Sequence, residues 1–213
     1  MMRVLMTGGT GDVGRAAVRR LVENRHDVLV VGRTPGVEIP GADYTVCDVN
    51  DFDAFSSVVK DTAPDAIVHL AAIRSPVFDP PVDVLRTNLM GTIHAYQAAE
   101  DHGIDTVVAA SSINALGYKF GLHPFQVERL PVDETHSSQA TDPYSFSKFS
   151  GERIGDYYRR RSGVRGTGLR LPWVYGEKGR DHARNRLPAI AESVDRLRAM
   201  KAKKRRAYAR EMT

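Results

Sequence analysis

A tyrosine and a lysine stand four residues apart in the segment PYSFSK, residues 143–148. On a helix, residues four apart share a face, so the Tyr144 hydroxyl and the Lys148 ammonium would project toward the same place. A phenol has a pKa of about 10 and is a weak base near neutrality, but a neighbouring cation stabilises the phenolate and lowers that pKa. The pair therefore predicts a group that moves a proton to or from a hydroxyl or a carbonyl.

Two serines, Ser111 and Ser112, directly follow the Val- and Ala-rich run Thr106–Ala110, which we predict to be a strand. In parallel sheets, ligands lie outside the carboxyl ends of the strands, so a serine at this point can hydrogen-bond a reacting oxygen. Either serine alone is equally typical of a helix cap or a loop. Taken together with the Tyr-Lys pair, the pattern favours Ser112 as the residue that orients the oxygen.

A glycine-rich turn with the spacing G-x-x-G-x-x-G lies between a predicted strand, Arg3–Thr7, and a predicted helix, Asp12–Asn24. Glycine is needed where the chain bends sharply and where backbone must approach a pyrophosphate closely. The helix start adds free N–H groups and the positive end of the helix dipole. The alternative is a structural turn without a ligand. The residues predicted to bind the phosphates are Gly8, Gly11, Asp12, Val13 and Gly14.

After the predicted second strand, Asp27–Gly32, the chain continues with Arg33 rather than with an acidic residue. A carboxylate at this place would bind the ribose hydroxyls of NAD, whereas an arginine is suited to the 2′-phosphate of NADP. The Gly32-Arg33 pair therefore favours NADP over NAD, unless Arg33 is only a solvated loop residue. Asp48, after the short predicted strand Tyr44–Cys47, is placed to accept a hydrogen bond from the adenine amine. Alternatively, it belongs to the cap of the next helix.

Short Val-rich runs alternate with longer amphipathic stretches, which is the pattern of βαβ units in a parallel sheet. We therefore predict an α/β fold with a Rossmann-type, doubly wound parallel sheet. Residues 113–142 show no clear period and are predicted to be a functional loop or to carry short elements. Further strands are predicted at 66–71 and 168–171, and further helices at 51–62, 82–102 and 143–162.

The composition excludes several classes of protein. The 213 residues are 42% hydrophobic and 26% charged, which suits a folded domain rather than a disordered chain. Cys47 is the only cysteine, which is typical of a reducing compartment, and no apolar run has the length of a membrane span. We therefore expect a soluble cytoplasmic protein without a membrane partner. The histidines show no metal-ligand spacing, so no metal site is expected.

Basic charge is concentrated in residues 177–213, which hold 12 Lys and Arg against 5 Asp and Glu. The apolar spacing from Leu187 to Leu197 predicts a helix, and the stretch after it is predicted to be solvated or frayed. A basic tail also attracts polyanions, but this one has a single aromatic residue and no recognised nucleic-acid module. Electrostatic attraction alone is non-specific, so we expect no specific nucleic-acid partner.

Seven motifs follow one another along the chain: TGGTGDVG at 7–14, Asp48-Val49, HLAA at 69–72, NLMGT at 88–92, Ser111-Ser112, PYSFSK at 143–148 and LRLPWVYG at 169–176. In this order they resemble the extended short-chain dehydrogenase/reductases, and more narrowly the NAD-dependent epimerase/dehydratase family. Residues 111–118 are also somewhat similar to the corresponding stretch of uronate dehydrogenases.

The resemblance implies a triad in which Ser112 positions the substrate oxygen, Tyr144 is the acid or base, and Lys148 tunes the tyrosine and holds the nicotinamide ribose. It also implies that Asn88 holds a water behind the lysine, and that the helices at 82–102 and 143–162 form a homodimer. Further cofactor residues implied by the resemblance are Val49, Leu70, Ala71, Ala72, Asn88, Tyr144 and Pro172, and the candidates for the substrate site are Arg74, Ser111 and Asn114.

Members of this family usually continue well beyond the motif that ends here at Gly176 and build a smaller substrate-binding region. We predict an NAD(P)-binding domain with the catalytic residues over 1–176, and a basic helical extension over 177–213 in place of a full substrate domain. The predicted function is hydride transfer, as an oxidoreductase or epimerase/dehydratase, on the carbonyl or secondary alcohol of a sugar-like substrate. The alternative is a catalytically weak NAD(P)-binding module.

Overall fold

The computed structural model describes residues 1–77, 79–120 and 122–174. Residues Met1–Pro172 form one compact unit. The second unit, Trp173–Thr213, lies outside the described residues except for Trp173 and Val174. The predicted C-terminal helix, the basic stretch after it and the end of the LRLPWVYG motif therefore also lie outside the described residues. The predicted division of the chain at residue 176 stays a prediction.

Six parallel strands form one sheet, which confirms the predicted fold class. They are β1 (Arg3–Thr7), β2 (Asp27–Gly32), β3 (Asp43–Val46), β4 (Ala66–His69), β5 (Thr106–Ser112) and β6 (Arg165–Leu171). Their order across the sheet is β3-β2-β1-β4-β5-β6. The direction of strand addition reverses between β1 and β4, and at such a point a crevice opens outside the carboxyl ends of the strands.

Helices connect the strands at the predicted places. They are α1 (Asp12–Glu23), α2 (Phe52–Thr62), α3 (Pro81–Leu85), α4 (Gly91–Asp101) and α5 (Pro143–Ser162). Asp142 caps α5 by accepting a 2.9 Å hydrogen bond from the Ser145 N–H, and Pro143 fits the first helical position because its missing N–H would have no partner there. The segment that carries Tyr144 and Lys148 is therefore a helix, as predicted.

The predicted helix at 82–102 is one helical run with an irregular middle. A π-helical turn, Arg86–Met90, joins α3 to α4, and Thr92 donates a 2.7 Å hydrogen bond back to the Asn88 carbonyl. Apolar periodicity does not reveal such a turn, because one inserted residue shifts the helix face only locally. Single π-helical turns inside α-helices are frequent at functional sites.

The two faces of the sheet bury different side chains. Along β1, Leu5 faces the core formed with α2, α4 and α5, whereas Met6 faces the core formed with α1. The first core includes Phe55 of α2 and Tyr96 of α4, both essentially inaccessible to water. Burial of each large apolar side chain stabilises the fold by about 1.5–3 kcal/mol, so these two cores hold the helices on the sheet.

Four strands differ from the prediction at one or both ends. β3 is shifted by one residue and covers Asp43–Val46 instead of Tyr44–Cys47. β4 ends at His69 rather than at residue 71: the Leu70 N–H makes the last ladder hydrogen bond, to the Thr7 carbonyl at 3.1 Å, and the Ala71 N–H bonds to the Thr7 side chain at 3.2 Å instead. β5 extends to Ser112, and β6 begins at Arg165, three residues before the predicted start. The two glycines in the RGTG start of β6 lower the strand propensity of that segment, because glycine weakens a strand. The start of β6 was therefore predicted too late.

Among the described residues, none of the helices combines the length and apolarity that crossing a membrane requires. The same residues contain no group of three or more His, Cys, Asp or Glu side chains arranged to hold a metal ion.

Candidate active site

The glycine-rich turn joins β1 to α1 and contains two glycines that the packing requires. Gly8 has φ +71°, and a Cβ there would lie 2.6 Å from the Ala71 nitrogen. A Cβ on Gly14 would lie 2.2 Å from the Gly8 carbonyl oxygen. These contacts are with backbone, which cannot move aside as a flexible side chain can. Gly8 and Gly14 therefore allow α1 to begin directly against β1.

Gly11 differs from the other two glycines, because space outside it is open. Its Cβ would meet one atom, the Gly8 oxygen, at an ordinary 3.5 Å. Gly11 is also the N-cap of α1, and no side chain caps the helix there. The first N–H groups of α1, including those of Asp12 and Val13, thus have no side-chain cap and begin beside an open space. An uncapped helix N-terminus of this kind fits a phosphate group.

The end of β2 presents an exposed arginine. Arg33 is exposed and makes no hydrogen bond or ion pair with any residue in the described part of the chain. The turn that follows it is fixed, because Tyr44 donates a 2.8 Å hydrogen bond to the Thr34 carbonyl. A Cβ on Gly32 would lie 2.6 Å from the Tyr44 hydroxyl oxygen, so the glycine leaves room for that tyrosine.

Asp48 and Val49 follow β3 at the same edge of the sheet. Asp48 is partly buried, and its Oδ1 accepts hydrogen bonds from the Asn50 backbone N–H at 2.9 Å and from Asn50 Nδ2 at 3.1 Å. The buried Val49 offers its carbonyl to His94 Nδ1 at 2.7 Å, which fixes Nδ1 as the donor. Both residues thus lie at the edge where the sequence predicts the adenine.

Ser112, Tyr144 and Lys148 converge at the carboxyl end of β5. Ser112 ends β5, and its Oγ accepts a 3.1 Å hydrogen bond from the Asn114 N–H. Lys148 Nζ donates a 2.8 Å hydrogen bond to the Ala110 carbonyl and lies 5.8 Å from the centre of the Tyr144 ring. The structure therefore brings the three predicted catalytic residues to one place, although Ser112 belongs to β5 and the other two residues belong to α5.

The aromatic ring of Tyr144 is held from the side by Phe120, whose ring meets it edge-on with centroids 6.1 Å apart. Sequence reasoning missed Phe120, which lies in the aperiodic segment 113–142. Within that segment the structure forms a 3-10 turn, Ile113–Leu116, so part of it is ordered into a short element as predicted. Gly117 ends this turn with φ +90°.

Burial dominates the protonation of the two central groups. It raises the pKa of Tyr144, an effect that the charge of Asp142 reinforces and that a hydrogen-bond interaction with Ser112 and the charge of Arg74 oppose. Burial lowers the pKa of Lys148 to about 8. In the protein alone, the Tyr144 pKa is thus raised rather than lowered as the Tyr-Lys spacing predicts. The reason is that desolvation of the phenolate outweighs the stabilising groups.

Lys148 should consequently destabilise the protein near neutral pH. Its pKa is about 8 in the fold against an ordinary 10.5, so the unfolded chain binds more protons between these values and stability rises with pH across them. We expect Lys148→Met to unfold at a higher temperature than the wild type at pH 7. The advantage should shrink as the pH rises from 8 to 10, as measured by thermal unfolding. A difference that is constant over this range would contradict the explanation.

Asn88, in the π-helical turn, ties the loop after β4 to α5. Its Oδ1 accepts a 2.8 Å hydrogen bond from the Ile73 N–H, and its Nδ2 donates to the Ile73 carbonyl at 3.1 Å and to Ser147 Oγ at 2.9 Å. Ser147 in turn donates a 2.7 Å hydrogen bond to the Tyr144 carbonyl. A cavity of about 10 Å³ lies among Asn88, Ser147 and Lys148, which is room for about one water molecule.

Leu70, Ala71 and Ala72 lie in the crevice between β1 and β4, and a threonine of β1 fixes them. Thr7 Oγ1 accepts a 3.2 Å hydrogen bond from the Ala71 N–H and lies 2.9 Å from His69 Nδ1. Burial lowers the pKa of His69 to about 3, with smaller contributions from Lys148 and His94, so this imidazole is neutral at physiological pH. Sequence reasoning did not single out Thr7 or its contact with His69.

The three candidate substrate residues lie in different surroundings. Arg74 is exposed, and its charge acts on Tyr144. Ser111 instead donates a 2.6 Å hydrogen bond to Glu152 Oε1. Asn114 is 3% exposed, and its Oδ1 is buried without a partner among the described residues. Of the three, Arg74 alone is both exposed and close to the phenol. Pro172, the predicted residue at the nicotinamide end, is exposed just after β6.

The sequence matches the NAD dependent epimerase/dehydratase family over residues 4–206, which is nearly its whole length. This chain belongs to that family. The epimerase/dehydratase chain is 32% identical over 188 residues to a putative UDP-glucose 4-epimerase of Methanocaldococcus jannaschii, with 82% of this chain and 57% of the relative covered. It is 32% identical over 181 residues to an L-arabinose 1-dehydrogenase (NAD(P)(+)) of Haloferax volcanii, with coverage of 82% and 68%.

The fold of this epimerase/dehydratase family member is shared with a solved structure of a mutated uronate dehydrogenase. The two superpose with a TM-score of 0.67 and are 29% identical, with 80% of this chain and 59% of the other covered. The similarity to uronate dehydrogenases is thereby confirmed. The chain spans somewhat more than half the length of the first relatives it matches.

Proposed function

We propose that this chain binds NAD(P) along the carboxyl edge of its sheet and transfers hydride to or from a carbonyl or secondary alcohol of a sugar-like substrate. One observation carries the proposal. The Tyr144, Lys148 and Ser112 side chains converge at the end of β5, on the same sheet edge as the open, uncapped helix start at Gly11. A phosphate site and a proton-transfer group thus lie on one crevice.

We propose that residues along the whole crevice would hold the dinucleotide. The N–H groups at the start of α1 would hold its phosphates, Asp48 and Val49 its adenine, and Leu70 to Ala72 its middle. Lys148 and Asn88 would lie beside the nicotinamide ribose, with Pro172 near the nicotinamide. When bound, NAD(P) supplies or takes up the hydride. Family membership and the NAD(P)(+) named for the Haloferax volcanii relative support this assignment.

Tyr144 would handle the proton of the reaction. Burial raises its pKa, so at neutral pH the phenol is protonated and can donate its proton to a carbonyl oxygen that receives hydride. In the opposite direction the phenolate must form, and Ser112 and Arg74 are the groups that favour it. Ser112 would also orient the substrate oxygen. Lys148 would hold α5 against β5 through its hydrogen bond to the Ala110 carbonyl and would bind the ribose as well.

A sugar or nucleotide sugar is the proposed substrate class, because the relatives named above are a putative UDP-glucose 4-epimerase, an L-arabinose 1-dehydrogenase and a mutated uronate dehydrogenase. Arg74, exposed beside Tyr144, is the proposed contact for a polar or anionic group of that substrate. The free, buried Cys47 supports a reducing, cytoplasmic setting. The exposed rings of Phe146 and Tyr157 on α5 support a homodimer through this helix.

Turnover on a small panel tests the proposal. The full chain is incubated with NAD or NADP and, in turn, with L-arabinose, galacturonate, UDP-glucose and UDP-galactose. Reduced cofactor is followed by absorbance, and interconversion of the two UDP-sugars is followed by chromatography. We expect turnover with at least one substrate. Cofactor binding without any turnover would favour the binding module, and no binding of either cofactor would contradict the proposal.

The preference for NADP is proposed from Arg33 and has its own test. Arg33 is exposed and has no partner in the described structure, so its guanidinium is free for a 2′-phosphate. We expect Arg33→Ala to weaken NADP binding about tenfold or more and to leave NAD binding nearly unchanged, by calorimetric titration of both cofactors. Arg19→Ala, an exposed arginine of α1, is the control. An unchanged NADP-to-NAD ratio in Arg33→Ala would show that the inference is wrong.

A further inference from the structure

Helix α5 presents three side chains to β5 at a spacing of four residues: Tyr144, Lys148 and Glu152. Residues at this spacing follow one another along one face of a helix. The first interacts with Ser112, the second donates to the Ala110 carbonyl, and the third accepts from Ser111. The last three residues of β5 therefore contact three successive turns of α5. The proposed function uses the first two of these contacts and leaves the third unexplained.

Glu152 is the best-connected side chain of the three. Its Oε1 accepts hydrogen bonds from Ser111 Oγ at 2.6 Å and from Arg170 Nε at 2.8 Å, and its Oε2 accepts from Arg170 Nη2 at 2.8 Å. The Glu152 and Arg170 side chains are 11% and 19% exposed. A two-point guanidinium-carboxylate contact of this kind restricts both distance and orientation.

The carboxylate links α5 to two neighbouring strands at one level. Ser111 of β5 and Arg170 of β6 are direct partners in the strand pairing, so both reach Glu152 from the same height of the sheet. Gly168, two positions before Arg170 on β6, leaves room for the Glu152 side chain, because a Cβ on Gly168 would lie 3.2 Å from Glu152 Cγ. The helix therefore meets the sheet here through a polar contact with fixed geometry rather than through apolar packing alone.

The charge of this cluster is maintained in the fold. Burial alone would raise the pKa of Glu152, but the hydrogen bonds from Arg170 and Ser111, with the charges of Arg170 and Arg153, outweigh it and lower the pKa. Loss of one partner from a buried ion pair leaves an uncompensated charge. Loss of the Glu152 charge would therefore leave Arg170 without its partner, and we expect the position of α5 on the sheet to change in response.

We propose that Glu152 is a positioning residue whose contacts with Ser111 and Arg170 fix the register of α5 against β5 and thereby place Lys148 and Tyr144. The inference rests on the proposed function. Eight residues separate Glu152 from Tyr144, which is about 12 Å along a helix. A displacement of the helix is thus passed along two turns to the reacting group, and a misplacement of about 1 Å can lower a rate about 100-fold.

The test compares Glu152→Gln with a matched control, Glu100→Gln. The Glu100 carboxylate accepts from Arg161 at 3.0 Å, so the control removes an Arg-Glu pair from the other end of the same helix. We expect Glu152→Gln to lower kcat about tenfold or more, with the KM of the substrate and the binding of ADP, which lacks the ribose that Lys148 would hold, changed less than about twofold. Glu100→Gln should leave kcat nearly unchanged. Hydrogen exchange at residues 145–152 should accelerate in Glu152→Gln alone.

Conservative changes separate positioning from a general loss of stability. Arg170→Lys keeps the charge but loses the two-point contact, so its kcat should lie between those of the wild type and Glu152→Gln. If Glu152→Gln does not fold, Ser111→Ala removes a single hydrogen bond and should lower kcat less, again without a change in ADP binding.

Three outcomes would contradict the positioning role. They are an unchanged kcat in Glu152→Gln, an equal loss in both Gln variants, or a loss that appears only in KM. If the wild type shows no turnover on any substrate, the proposed function fails first. The hydrogen-exchange comparison then decides by itself whether Glu152 holds the first turns of α5.

Discussion

Tyr144→Phe will lower kcat by about 10²–10⁴-fold and leave the fold and cofactor binding intact. The substitution removes one oxygen, and no described hydrogen bond that holds the protein together uses that oxygen as donor. The ring keeps its edge-on contact with Phe120 and its place over Lys148. What disappears is the proton that the phenol exchanges with the substrate oxygen.

The comparison uses kcat from the turnover panel, the binding of NAD and NADP, and the unfolding temperature. Tyr157→Phe is the matched control, because this tyrosine lies on the same helix but 47% exposed and far from Ser112. The control should retain full activity. Comparable turnover in Tyr144→Phe and the wild type would exclude the phenol as the proton-transfer group.

Gly14→Ala will lower the unfolding temperature markedly even without cofactor. Alanine is favoured over glycine inside a helix by about 1 kcal/mol, so helix propensity alone predicts stabilisation. Packing predicts the opposite, because the new Cβ would lie 2.2 Å from the Gly8 oxygen and 2.6 Å from Gly9 Cα. Overpacking against backbone costs about 1–3 kcal/mol or more, which for a chain of this size lowers the unfolding temperature by about 2–12 °C.

Gly11→Ala separates this packing effect from cofactor binding. Its Cβ would meet the Gly8 oxygen at 3.5 Å, an ordinary contact, so the unfolding temperature without cofactor should stay within about 2 °C of the wild type. The methyl group would occupy the space proposed for the pyrophosphate, and affinity for NAD and NADP should fall about tenfold or more. Undiminished affinity in Gly11→Ala would place the phosphates elsewhere, and an unchanged stability of Gly14→Ala would disprove the steric argument.

Much of the fold was predictable because its signals are local. The Val-rich run Asp27–Gly32 and the start of α1 at Asp12 agree with the structure, since apolar periodicity and the glycine turn determine both. β4 was predicted too long, because its end depends on Thr7, 62 positions away from His69 in the chain. A contact across that distance leaves no trace in the spacing of neighbouring residues.

The candidate site was also predictable where its signals are local and unpredictable where they depend on distant residues. The Tyr144-Lys148 pair and the glycine turn follow from short spacings, and Ser112 follows from its place at the end of a strand. Glu152 continues the same spacing by one more step, which was an available signal. Its partner Arg170 lies on another element, 18 positions further on, so the pairing could not be derived from the sequence. The raised pKa of Tyr144 was unpredictable for a related reason, since burial is a property of the assembled fold.

The three hydrogen bonds of Asn88 link the loop at Ile73 to the first turns of α5, so that neither segment can move without the other. Mutational drift in either part is therefore constrained by the other, and the proton-transfer machinery resists gradual change. The aperiodic segment before α5 contacts the site through Phe120, whose ring holds Tyr144, but it also exposes large apolar side chains such as Leu122 and Leu130. Laboratory evolution toward new substrates should accordingly begin at the exposed positions of that segment, such as Leu122 and Leu130, rather than at Phe120.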